Sequence, residues 1–231
     1  MNIFRLTHVN FEKIFNVYKD LDTLDLNEWE NAGRLKEDGW MNRYQYESQI
    51  IREIVTDNQV KTILELGSGP GMLSQFVQKD LDLNYHLVDK PFAQKYFVDN
   101  HLKGKFFIKD ISMDLDTEGL LPKYNLIICN DVLEHLISPS NIIRKAYSLM
   151  DNDSVFFISV PNWRMGHQFI YRGLWDYDNF LYFMYIHQFE SIGVYPSPLQ
   201  TPFYPKIDAE KSMPDELIQS WNFYFQFKKK P

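Results

Sequence analysis

Glu65, Gly67, Ser68, Gly69 and Gly71 stand within seven residues, directly after the apolar run Thr62-Ile63-Leu64. An apolar run that ends in an acid and then glycines reads as a buried strand turning sharply into a helix. Glycine lacks a Cβ, so backbone at such a corner can approach a ligand closely. Met72, Leu73, Phe76 and Val77 come next at helical spacing, so the turn opens a helix. Nucleotide-type cofactors bind at strand–turn–helix corners of this kind. Three later apolar runs also end in polar, hydrogen-bonding residues: Asp89; Asp110; and Asn130 with Asp131, closely followed by His135. A carboxylate placed after a strand accepts hydrogen bonds from hydroxyl or amino groups, and an imidazole moves protons near neutral pH.

The spacings narrow the choice of cofactor. A dinucleotide fingerprint, Gly-x-Gly-x-x-Gly, would need its third glycine at position 72, where this chain has Met72. Asp89 closes the short run Asn84–Asp89, about 20 residues past the glycine turn, where an acid in an open α/β sheet accepts ribose hydroxyls. It could also cap the helix that Pro91 starts; after the glycine turn, ribose binding is the favoured reading. The pattern Glu65-x-Gly67-x-Gly69-x-Gly71 resembles motif I of the class I methyltransferases that use S-adenosylmethionine (SAM). The segment Asn130-Asp131-Val132-Leu133-Glu134-His135-Leu136 resembles motif IV and the adjoining stretch in small-molecule members, among them the ubiquinone-biosynthesis O-methyltransferases.

That resemblance implies a cofactor set of Glu65, Gly67, Ser68, Gly69, Gly71, Asp89, Lys90, Asp110, Ile111, Asn130 and Asp131. Asp110 would receive the adenine amino group, with Ile111 packed on the ring. Asn130 and Asp131 would lie beside the methionine part of SAM. The catalytic candidates are His135, as a general base for a hydroxyl acceptor, and Asp131; a structural histidine is the alternative for His135. Asp131, Glu134 and His135 also invite a metal reading, since some relatives hold a divalent ion here. The longer Glu usual in those relatives is Asp131 in this chain and no further histidine ligand is evident, so no metal is expected.

Substrate recognition is assigned to Arg164, His167 and Arg172, which mix cationic donors with the planar rings of Trp163, Trp175 and Tyr177. Arginine pairs with carboxylate or phosphate through two parallel hydrogen bonds, so a polar and anionic small molecule fits. Ahead of the sheet, Trp40, Arg43 and Tyr44 are placed to close over the cofactor, with Arg43 toward its carboxylate.

These residues need a scaffold that puts successive strand ends side by side. From residue 62 onward strands and helices alternate, which argues a parallel sheet covered on both faces. The expected fold is α/β and Rossmann-like: a mostly parallel seven-stranded sheet, an antiparallel last strand at Trp221–Phe227 as the resemblance implies, and a helical N-terminal cap. The cap is assigned to 1–58 and the SAM-binding core to 59–231, as one compact unit. Tyr46, Ile50, Ile51, Ile54 and Val55 fall at helical spacing in the cap, and helices are expected at Asn141–Met150 and Asp178–Ser191. The aromatic run Phe180–Ile186 is read as core, and Pro196, Pro198, Pro202 and Pro205 as an irregular excursion.

Composition restricts the partners. The 231 residues carry 24 Lys+Arg against 31 Asp+Glu, a net charge of −7, which is a poor footprint for nucleic acid. One cysteine permits no internal disulfide, so a cytoplasmic location is expected. No secretory leader is recognised, and no apolar run approaches the ~20 residues of a membrane helix. The sequence therefore predicts a SAM-dependent methyltransferase of a small polar molecule, most simply an O-methyltransferase of a metabolite or of a glycan- or nucleotide-linked precursor. An N-methyltransferase and a catalytically silent SAM-binding partner subunit are the alternatives.

Overall fold

A computed structural model describes residues 38–162, 172–197 and 222–231. Its elements in chain order are α1 (Asp38–Asp57), β1 (Thr62–Leu66), α2 (Met72–Val77), β2 (Asn84–Asp89), α3 (Pro91–Asp99), β3 (Lys105–Ile108) and β4 (Tyr124–Asn130). A 3-10 turn (Leu133–His135), α4 (Pro139–Leu149), β5 (Met150–Pro161), a second 3-10 turn (Arg172–Trp175), α5 (Tyr177–Ile186), β6 (Phe189–Pro196) and β7 (Asn222–Lys229) complete the order. The seven strands form one sheet in the order β3-β2-β1-β4-β5-β7-β6. β3 to β5 pair in parallel, and β7 runs antiparallel between β5 and β6. The last strand inserts as expected.

Alternation along the strands supplies two cores. Ile63, Tyr85, Leu87, Val155 and Phe157 face one side, where Ile50, Ile51, Ile54 and Val55 of α1 and Leu73 and Val77 of α2 cover them. Leu64, Leu66, Val88, Phe156 and Ile158 face the other, against Ile142, Ile143 and Ala146 of α4 and Phe180 and Met184 of α5. Side chains on a strand point alternately to opposite faces, so one five-residue strand can serve both layers. Burying α1 in the same core as the sheet means that this part of the 1–58 segment is one of the sheet's covering helices.

The C-terminal half departs from the sequence reading most clearly after α5. The helix expected over Asp178–Ser191 ends at Ile186, and Phe189–Pro196 is a strand. Gln188, at φ 68°, turns the chain, after which Phe189, Val194 and Tyr195 bury themselves beside β7. The apolar residues of this short stretch suit either period, and the open edge of β7 decides for the strand. β3 also stops at Ile108, leaving Asp110 and Ile111 in the loop beyond it. Within α5, Phe180, Phe183 and Met184 are buried, whereas Tyr182, Tyr185 and Ile186 are exposed. Pro196, expected in the irregular excursion, is instead the last residue of β6, paired with Phe223; Pro198, Pro202 and Pro205 lie outside the described residues, as do residues 1–37 of the expected cap.

Candidate functional site

The glycine corner folds as its composition requires. Gly67, Gly69 and Gly71 all take positive φ (71°, 53° and 85°), a region closed to most L-residues by Cβ sterics. The Gly67 and Ser68 amides both donate to the Val88 carbonyl, at 2.9 and 3.2 Å, which ties the turn to the end of β2. Gly71 then caps the short α2. Asp89 reaches back over this turn: its carboxylate accepts the Gly69 amide at 2.6 Å and the Lys90 amide at 2.7 Å. Burial nonetheless pushes Asp89 up to about 6, against these two hydrogen bonds. Asp110 accepts the Ser112 amide at 2.8 Å, and Ile111 is buried beside it.

Beside the corner opens a cleft of about 140 Å³, walled by Glu65, Gly67, Ser68 and Gly69 on one side, Asn130, Asp131 and His135 on another, and Trp40, Arg43, Tyr44 and Glu47 of α1 across the top. Residues from three separate stretches of sequence thus meet at the C-terminal ends of β1 and β4, where open α/β sheets bind their ligands.

The two stretches farthest apart in the chain are joined by a charged network. Arg43 Nη2 lies 2.5 Å from Asp131 Oδ2, and Arg43 Nε donates to Glu47 Oε1 at 2.6 Å. Asp131 also accepts Ser159 Oγ at 2.6 Å and the Asn222 side-chain amide at 2.7 and 2.8 Å. Burial would raise the Asp131 carboxyl, but Arg43 and these hydrogen bonds hold it below its ordinary range. Asp131 has φ 52°, an unusual conformation that acidic residues tolerate better than most. Glu47, almost fully buried, also accepts the Tyr224 hydroxyl at 2.9 Å. Sequence reasoning does not reach Glu47, Ser159, Asn222 and Tyr224. The one available signal is the Arg43–Glu47 pair, four apart on the face that also carries Tyr44 and Ile51.

Two acids contrast with Asp131. Glu65 is 4% exposed and accepts the Tyr85 hydroxyl at 2.8 Å. Desolvation pushes it up to about 8. Glu134, fully buried in the first 3-10 turn, has no hydrogen-bond partner at either carboxylate oxygen among the described residues, and burial raises it well above the usual carboxylate range. Its Oε1 lies 3.7 Å from His135 Nε2, and the His135 side chain keeps a quarter of its surface exposed toward the cleft. Among the described residues no group of three or more His, Cys, Asp and Glu is arranged to hold a metal ion. Cys129 is buried in the strand interior. Arg164 and His167 lie outside the described residues; Arg172 opens the second 3-10 turn, and its side chain is not described.

Comparison with known proteins identifies the family and the fold. A family model described as a methyltransferase domain matches residues 39–200. The ubiquinone biosynthesis O-methyltransferase of Glaesserella parasuis serovar 5 is 30% identical over 117 residues, 44% of this chain and 46% of that protein. The match therefore spans about half the length of that curated relative. Among solved structures, the plantazolicin methyltransferase BpumL in complex with S-adenosylhomocysteine (SAH) superposes with a TM-score of 0.65 at 13% identity, over 96% of this chain and 99% of that one. The N-methyltransferase NodS from Bradyrhizobium japonicum WM9, also with SAH, gives 0.62 at 14% identity, over 94% and 100%. With the family model spanning well over half of the sequence and the seven-stranded fold shared with the solved methyltransferases, the chain belongs to the class I SAM-dependent methyltransferases.

Proposed function

We propose that the chain transfers a methyl group from SAM to a hydroxyl of a small polar molecule. The observation that carries this reading is the convergence of the glycine corner, Asn130–Asp131 and His135 on one cleft. The residues present fit the donor. Gly67–Gly71 offer backbone free of side chains, Asp89 suits the ribose, and Asp110 with Ile111 suits the adenine. Asn130 Oδ1, buried without a hydrogen-bond partner among the described residues, and the acids Glu47 and Glu65 suit the positively charged methionine end. Arg43 suits its carboxylate.

When bound, SAM supplies a methyl group already activated on a sulfonium for in-line displacement. The protein has to hold the acceptor in line, exclude water and take the acceptor's proton. Positioning of this kind is worth ~7–11 kcal/mol. Trp40 and Tyr44 on α1 roof the cleft against water. His135 is the base in this scheme, accepting the hydroxyl proton as the new O–C bond forms. Asp131 is engaged as an ionised partner of Arg43, so its contribution is to keep Arg43 and the end of β4 in place. Arg164, His167 and Arg172 are proposed to meet the acceptor. The lone cysteine and net charge of −7 support a small-molecule substrate in a reducing cytoplasm rather than a nucleic acid. No helix among the described residues is long and apolar enough to cross a membrane.

Thermal shift with SAH against NADH tests the donor, and SAH release over a panel of hydroxyl and amine acceptors tests the reaction. Stabilisation by SAH but not NADH is expected; the reverse would refute the donor assignment. With a turned-over hydroxyl acceptor, His135→Gln should lower kcat about 10²–10⁴-fold, the range of a lost general base, while SAM affinity stays within about twofold. An unchanged kcat removes His135 as the base. The O-methyltransferase relative favours a hydroxyl acceptor; turnover of amines alone would move the reading to N-methylation.

A further inference from the structure

Glu47 joins three elements of the fold at the cleft. Its Oε1 accepts Arg43 Nε at 2.6 Å from α1 and the Tyr224 hydroxyl at 2.9 Å from β7; its Oε2 accepts the Asn130 side-chain amide at 3.4 Å from the end of β4. Tyr224 is fully buried and braced on two sides. Its ring is nearly parallel to that of Phe157, with centroids 6.0 Å apart, and edge-on to Tyr46 at 5.9 Å. The Tyr46 hydroxyl in turn donates to the Pro196 carbonyl at 2.7 Å, so α1 is tied to the end of β6 as well. Alternation along β7 sets this up: Phe223 and Phe225 enter one core, and Tyr224 between them enters the core that holds α1.

The contacts of Glu47 fix the polarity of two neighbours. A carboxylate only accepts hydrogen bonds, so the Asn130 amide can face Glu47 only with its NH2 group. That leaves Oδ1 as the other end of the amide. This oxygen is buried, has no hydrogen-bond partner among the described residues, and belongs to a residue that lines the cleft. A buried acceptor without a donor is costly unless a ligand supplies one. Arg43 is aimed by the same acid. Glu47 takes its Nε and Asp131 its Nη2, and the guanidinium sits 5.2 Å from the centre of the Trp40 ring. Because the guanidinium is planar and rigid, its remaining N–H groups then have fixed directions.

We propose that Glu47 is the positioning residue for the amino-acid end of the donor: it turns the Asn130 amide so that an acceptor meets the ammonium, aims Arg43 at the carboxylate, and is itself held by Tyr224 of β7. This rests on the donor reading above and adds the residue that orders it. An acceptor and a cationic fork on the walls of one cleft are what a zwitterion requires. Glu47 works through Asn130 and Arg43, since its own oxygens are taken by three protein donors. Glu47→Gln keeps the shape but offers a donor as readily as an acceptor. Asn130 is then no longer held to one orientation, and Arg43 loses an ionic partner. Tyr224→Phe removes one donor to Glu47 and no charge.

The experiment is calorimetry of the full chain with two ligands, SAH and 5′-methylthioadenosine, which shares the adenosine and thioether of SAH but has no amino-acid end. Glu47→Gln should weaken SAH about tenfold or more, the effect of losing a hydrogen bond to a charged group, and leave methylthioadenosine within about twofold. Tyr224→Phe should weaken SAH about three- to fivefold with the same selectivity. If Glu47→Gln does not fold, the ratio of the two affinities in Tyr224→Phe decides. A role confined to holding α1 against the sheet would weaken both ligands together, and that result overturns the proposal. Unchanged SAH affinity in either variant overturns it too, as does a wild type that binds both ligands equally; each leaves the donor reading intact. A wild type that binds neither ligand overturns both.

Discussion

Replacing Arg43 by Met should lower the unfolding free energy by about 2–3 kcal/mol and weaken SAM binding at least tenfold. Arg43 is the sole cation between two carboxylates among the described residues, and Met keeps its volume and aliphatic stem while deleting the charge. Asp131 and Glu47 would then face each other through a partly dry cleft, each having lost its ionic partner. Removing one member of a buried ion pair costs about 3–5 kcal/mol, because the other charge stays behind without its counter-ion. Here the figure is reduced, since about a fifth of the Arg43 and Asp131 side chains remains exposed. For a chain of this size, 2–3 kcal/mol corresponds to a fall in Tm of roughly 5–10 °C. Urea denaturation with and without SAM separates the two effects. Adding Asp131→Asn to Arg43→Met should recover part of the stability, because the orphaned charge is gone, but not the affinity. A Tm within 1 °C of wild type would mean that the network contributes nothing to holding α1 over the site.

The same network marks where sequence reasoning stops. Thr62–Gly71 is readable because its message is local: an apolar strand, an acid, and glycines spaced to fit positive φ. Asp89 and Asn130 are readable because each ends an apolar run, and parallel strands bring such ends into register. Glu47 is not, although it is as buried as the core. Its partners Asn130 and Tyr224 lie 83 and 177 residues away, and no periodicity encodes a contact that only the finished sheet creates. Asn222 escapes for the same reason, its partner Asp131 lying 91 residues away. The missed strand β6 is a different failure. Phe189–Pro196 has too few apolar residues to choose between periods by itself, and its structure is set by pairing to β7, which comes later in the chain.

Replacing Gly67 by Ala should cost about 2–4 kcal/mol in stability and at least a hundredfold in SAM affinity, more than any other single methyl group added to this corner. Two effects act together. Gly67 has φ 71°, where an L-residue pays about 1–2 kcal/mol. The added Cβ would also sit 2.2 Å from Val132 Cγ2, 3.0 Å from Cγ1 and 3.2 Å from Cβ. With both methyls and the branch carbon in the way, Val132 must move as a whole. It comes directly after Asp131, whose carboxylate is pinned by Arg43, Ser159 and Asn222, so the strain is passed into the cleft wall. Gly71 offers a contrast: its Cβ would approach Leu87 and Phe97 no closer than 3.1 Å, contacts that small side-chain shifts relieve. The two contributions at Gly67 can be measured apart. Val132→Ala alone should be mild, about 1 kcal/mol, for a partly buried loss of two methyls. Combined with Gly67→Ala it removes the clash but leaves the positive φ. The double variant should therefore be more stable than Gly67→Ala alone, with a residual deficit of about 1–2 kcal/mol. Urea denaturation reads the stabilities and calorimetry reads the affinities. If Gly67→Ala binds SAM as tightly as the wild type, the corner is not the wall against which the donor lies. A double variant that regains stability but not affinity would show instead that the shape of the turn itself, and not the space it leaves, is what the donor recognises.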